Sequence, residues 1–98
     1  MNAPANVKVL RQYDSDQALV MWDSLVVGGV TITYSVDISA VSSELGFKNY
    51  ANSLAAQSGS MQCLAVTLPD KNAVCYVKVT ASGTPGGLES HTVAFSGL

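Results

Sequence analysis

Charge is what this sequence has least of. Only 12% of its residues are charged, against about 25% in a typical domain. Five Lys and Arg stand against seven Asp and Glu, a net charge of −2, and the basic residues form no run. That removes the electrostatic footprint that nucleic acid or an anionic membrane surface requires, so neither is expected as a partner. No apolar run is long enough to cross a bilayer. The opening Met1-Asn2-Ala3-Pro4-Ala5-Asn6 has neither the charged nor the apolar region of a signal peptide. The expectation is an intact small protein not exported by that route, or a domain excised from a longer chain.

Cysteine and histidine are also scarce. Cys63 and Cys75 are too few for a disulfide framework. With His91 as the only histidine, they fall short of a structural zinc set. A bridge between the two needs facing side chains. If Leu64, Val66 and Leu68 point inward, Cys63 points outward and Cys75 inward, which disfavours the pairing.

The groups that catalysis uses are missing as pairs. His91 has no neighbour in sequence that suggests a dyad or triad. Asp14-Ser15-Asp16 offers carboxylates two apart, but lacks the Gly and terminal Glu of a calcium loop and reads as a solvated turn. Gly83-Thr84-Pro85-Gly86-Gly87 is no phosphate loop, because no Lys follows it. Arg-Gly-Asp and Asn-x-Ser/Thr are absent. The expectation is a protein that is not an enzyme, with no cofactor and no metal.

What the sequence does contain is alternation. In Cys75-Tyr76-Val77-Lys78-Val79-Thr80-Ala81 the apolar residues share one face and the polar ones the other. Leu68-Pro69 before it and the Gly83–Gly87 segment after it signal turns. Thr31-Ile32-Thr33-Tyr34-Ser35-Val36-Asp37-Ile38-Ser39 alternates without error. Val7 and Val9 alternate with Lys8 and Leu10, Met61 to Leu68 forms a further strand, and His91 to Phe95 another. Pro4 fits a strand start at a sheet edge. Between Val41 and Gly59 the pattern weakens. It predicts one short edge strand near Phe47–Tyr50, then an irregular or single-turn helical passage. With 98 residues the chain is one domain. Its fold class is all-β, a seven-stranded antiparallel β-sandwich.

These residues resemble the fibronectin type III family. The family's order has a Pro at the start, a Trp ending the second strand and a Tyr early in the third. A Leu-x-Pro element follows, then a penultimate strand Tyr-x-Val-x-Val-x-Ala, and a Gly-rich loop. Pro4, Trp22, Tyr34, Val77, Val79, Ala81 and the Gly83–Gly87 loop match. Cys75 stands where the family has the penultimate-strand Tyr, so the usual tyrosine corner cannot form there, and Leu68 meets Pro69 with no spacer. An immunoglobulin-like sandwich of another subtype is the alternative. The resemblance implies a module that binds or spaces.

One strand departs from the alternation of residue types. In Ala18-Leu19-Val20-Met21-Trp22, Ala18, Val20 and Trp22 share the inward face, which turns Leu19 and Met21 outward where polar residues belong. Two large apolar side chains on a weakly charged exterior point to burial against another chain. Thr84, Pro85, Gly86, Gly87 and Leu88, read as a loop with Leu88 at its tip, form the second expected contact. The expected partners are other protein subunits in a larger assembly. The expected role is a structural or decoration protein of a virus particle, in a bacteriophage capsid or tail. The alternative is an extracellular binding or spacer module, cut from a secreted multi-domain bacterial adhesin or carbohydrate-active enzyme.

Overall fold

The structure is a computed structural model that describes residues 4–11, 14–26, 28–42, 44–70, 72–84 and 88–96; for 84 and 88–96 the description extends to the backbone alone. The described residues are all-β. Strands β1 (Lys8–Arg11), β2 (Gln17–Asp23), β3 (Thr31–Ser39), β4 (Lys48–Ala55), β5 (Met61–Thr67), β6 (Val74–Thr84) and β7 (Leu88–Ser96) follow in chain order. They form two antiparallel sheets, β1-β2-β5 and β4-β3-β6-β7. Both contribute to one buried cluster, giving a β-sandwich-like fold. None of the described segments is a helix long and apolar enough to cross a membrane.

Alternation explains which residues meet. Val20, Trp22, Val36, Val77 and Val79 are almost or wholly without solvent exposure, and each is separated by one residue from the next inward position of its strand. Trp22 from one sheet and Tyr34 from the other meet edge to face, with ring centroids 5.2 Å apart and planes at 66°. Such a pair contributes about 0.5–1.5 kcal/mol beyond its buried area. Leu25 N donates to the Tyr34 hydroxyl at 2.9 Å. That bond fastens the loop after β2 to a side chain of β3, nine residues further along the chain. Cys75 is buried and Cys63 exposed, both free thiols, as the alternation requires.

Three expectations need correction. The passage after Val41 contains no described helix: β4 runs on to Ala55. It pairs with β3 through register shifts between Tyr34 and Asp37, and Ser53 takes a φ of 52°. These irregularities break the period-two pattern, so the strand's hydrogen-bond ladder with β3, not its side-chain pattern, determines its length. Leu45 and Tyr50 in this passage are exposed. Secondly, Gly83 and Thr84 belong to β6, where they face Ile32 and Thr31 across the ladder. A long partner strand extends β6 into the glycine-rich stretch. Thirdly, Pro4 is buried but precedes the first strand: Asp23 N donates to Ala5 O, which holds the segment beside the end of β2 before β1 begins.

Gln62, like Ser39, is a polar residue of the interior, with 1% of its surface exposed. It faces Trp22 across the β2–β5 ladder. Its Oε1 accepts from Gln57 N at 2.6 Å, while Nε2 donates to Gln57 O at 2.9 Å and to Ser24 Oγ at 2.7 Å. Ser24 Oγ donates onward to Gly59 O. A buried amide needs such partners. Here they tie the turn after β4 to the end of β2.

Candidate assembly surface

β2 is the middle strand of the smaller sheet, so its outward residues have neighbours on both sides. Leu19 lies between Leu10 and Ala65, and Met21 lies between Lys8 and Cys63. Leu19 and Met21 are half-buried, flanked by neighbours yet open above. Leu10 is 61% exposed and Met61, at the end of β5, 45%. The middle of this face is thus apolar, with Lys8 beside Met21 and with Gln17, Asp23 and Thr67 at its ends. A shallow depression of about 210 Å³ lies between Leu10, Gln17, Leu19 and Ala65. Leu10 and Ala65 complete what Leu19 and Met21 begin. Leu10 is legible in the sequence as the outward partner of Val9, whereas Ala65 comes to this row only through the β2–β5 register.

The second expected contact divides differently. Pro85, Gly86 and Gly87 lie outside the described residues. Thr84 ends β6 and pairs with Thr31, and Leu88 opens β7 opposite Ser82. In backbone terms both are strand residues, so the reading of Leu88 as a loop tip is corrected. The β6–β7 ladder reaches further than the glycines and proline suggest. This hairpin belongs to the other sheet and is not brought together with Leu19 and Met21.

On β3 and β6 of that other sheet the paired outward residues are mostly polar. Thr33 faces Ser82, Ser35 faces Thr80, and Asp37 faces Lys78. Asn49 Nδ2 donates to Asp37 Oδ1 at 2.8 Å, and the Lys78 ammonium sits 4.6 Å from the Phe47 ring centroid. A cavity of about 240 Å³ opens at the seam between the sheets, lined by Ile38, Val41, Gly46, Lys48, Tyr50 and Pro69 among others. Gly46 is required beside it. Its φ is +79°, and a Cβ there would lie 2.7 Å from Val41 Cγ2.

Burial pushes the Cys75 thiol above its ordinary pKa. The thiol lies 3.6 Å from Asp70 O as a weak donor. A protonated, enclosed thiol is a poor nucleophile. His91 pairs with Val79 in the backbone register, and its side chain lies outside the described residues. In the Asp14-Ser15-Asp16 turn, Gln17 N donates to Ser15 Oγ and Gln17 Nε2 to Asp16 Oδ1. Among the described residues, no group of three or more His, Cys, Asp and Glu gathers to hold a metal ion.

The sequence matches no protein-family model, and no curated protein matches it. The residues and their arrangement therefore carry the functional argument.

Proposed function

We propose that this chain is a non-enzymatic structural or decoration protein of a virus particle, in a bacteriophage capsid or tail, acting by protein–protein assembly. The observation that carries the reading is the apolar outer face built by Leu10, Leu19, Met21 and Ala65 on β1, β2 and β5. Leu10 there is 61% exposed on a protein with only 12% charged residues. An apolar patch of this kind favours burial against another subunit. The hairpin spanning 84–88 is the second proposed contact, at the opposite sheet.

The finer fold reading is a seven-stranded sandwich of the fibronectin type III kind, spanning 1–98 as one domain. It is supported by the pairing of β4 with β3. In a constant-type immunoglobulin domain the fourth strand instead joins the sheet of the first, second and fifth. Trp22, Tyr34, Val77 and Val79, four of the residues on which the resemblance rests, share one buried cluster. Fold does not choose function, so the face and not the family carries the assembly argument.

The test uses Leu19→Glu and Met21→Lys. Each should leave the isolated domain folded and stop its incorporation into particles, read by co-purification with them. Normal incorporation of both variants would remove the face as a contact. The module reading, a spacer or binding domain of a secreted adhesin or carbohydrate-active enzyme, would then take its place.

A further inference from the structure

An antiparallel sheet ends at strands whose outward N–H and C=O groups are a template for another strand. Among the described residues β5 is such an edge, with β2 on one side only. Its sequence, Met61-Gln62-Cys63-Leu64-Ala65-Val66-Thr67, contains no charge, no Pro and no Gly. That is the composition of a segment prone to strand addition. Two side chains stand on this edge. Gln57 Nε2 donates to Cys63 O at 3.0 Å, and Cys63 N donates to Gln57 Oε1 at 3.2 Å. A side-chain amide thus occupies the place of a neighbouring strand's peptide group. Further along, Thr67 N donates to the Tyr50 hydroxyl at 3.1 Å. Along an antiparallel edge the outward backbone groups recur at every second residue. Cys63, Ala65 and Thr67 therefore present theirs to the same side, with a side chain already bonded at the first and the last.

We infer that Gln57 and Tyr50 guard the β5 edge against strand addition by a second copy of this chain. The edge is self-complementary. Antiparallel pairing about Ala65 places Cys63 of one copy opposite Thr67 of the other and Ala65 opposite Ala65, the reciprocal contact that a twofold axis requires. With no charge in 61–67, no like-charged pair opposes it. The groups that such pairing would use are the groups that the guards hold. Both guards are exposed side chains, outside the buried cluster, so removing them leaves the core intact. The strand edge is distinct from the apolar outer face.

Gln57→Ala tests it cleanly, because the backbone N–H and C=O of residue 57 keep their bonds to Gln62. The variant is made in a Leu19→Glu background, so that association through the outer face is not what is measured. Hydrogen exchange at the Cys63 amide should accelerate about tenfold or more in dilute protein. Sedimentation velocity at rising concentration should reveal a dimer that Leu19→Glu alone does not form, with the Ala65 amide newly protected in it. Gln57→Glu keeps an acceptor for Cys63 N–H and adds a charge to the edge, and should stay monomeric. Adding Tyr50→Phe should strengthen the dimer; if Gln57→Ala fails to fold, Tyr50→Phe alone should show the same self-association. A folded variant lacking the guard that remains monomeric at every concentration overturns the inference. So does a dimer in which Ala65 gains no protection, since the contact then lies elsewhere.

Discussion

On the β1-β2-β5 sheet the residues turned away from the core include Leu10, Leu19, Met21, Cys63 and Ala65. On the β3–β6 pair they include Thr31, Thr33, Ser35, Asp37, Tyr76, Lys78, Thr80 and Ser82. Both sets obey the same period of two, and both lie behind the same Trp22–Tyr34 contact. The hydroxyl rows can hydrogen-bond water along their whole length. The apolar side chains in the middle of the other face cannot, and gain by being covered. Alternation therefore decides which side chains face outward, while their chemistry decides whether the face ends at solvent. Cys63 and Cys75 repeat the contrast on a smaller scale: one thiol sits on the apolar outer face and the other inside the core.

The largest effect should come from the part both faces share. Trp22→Ala should destabilise the domain by about 3–5 kcal/mol, measured by chemical denaturation, and both faces should be lost together. A near-native midpoint would mean that the sheets do not depend on that contact. Gln62→Leu strikes only the seam. It removes the amide that ties residue 57 to Ser24 and should cost about 1–3 kcal/mol. An unchanged stability would show that the buried amide contributes nothing net.

The next variants separate the faces themselves. Leu19→Glu and Ser35→Glu each place one carboxylate at a half-buried outward position, and each should change stability by less than about 1 kcal/mol. Only Leu19→Glu should abolish incorporation into an assembly. Equal loss from both would dissolve the distinction between an apolar and a hydroxyl face.

The smallest effects concern the thiols. A thiol reagent added to native protein should label Cys63 rapidly and Cys75 only on unfolding; fast labelling of Cys75 would contradict its burial. The raised Cys75 pKa also predicts a pH dependence. The folded state holds its proton above the ordinary value of 9.0 while the unfolded chain releases it. The stability tied to that proton is fully present below that value and is lost as the pH climbs through the folded pKa. The slope is at most about 1.4 kcal/mol per pH unit. Cys75→Val should remove this component from stability curves recorded upward from pH 9.

Where alternation was unbroken, the fold was legible. β3 covers Thr31–Ser39, the span that its pattern predicts, and Cys75 to Ala81 alternates buried and half-buried as read. β4 was not legible, because its register shifts and the positive φ of Ser53 interrupt the period. The extent of β6 was not legible because Gly83 opens a Gly- and Pro-rich stretch that signals a turn, and the β3 ladder holds Gly83 and Thr84 extended. Gln62 was invisible as a core residue: nothing local distinguishes a Gln with buried partners from one in water. At the candidate surface, Leu19 and Met21 followed from the phase of one strand, whereas Ala65 and Cys63 required knowing which strand lies beside β2.

Backbone geometry makes period two a local property, so the sequence by itself determined an all-β chain, the inward placement of Trp22, Tyr34 and Val79, and the outward placement of Leu19 and Met21. Strand order is not local. It depends on how segments distant in sequence share hydrogen bonds and a core. Only the tertiary structure therefore decided that β5 lies beside β2, that Tyr34 supplies a hydroxyl to Leu25, and that Gln57 reaches the backbone of Cys63.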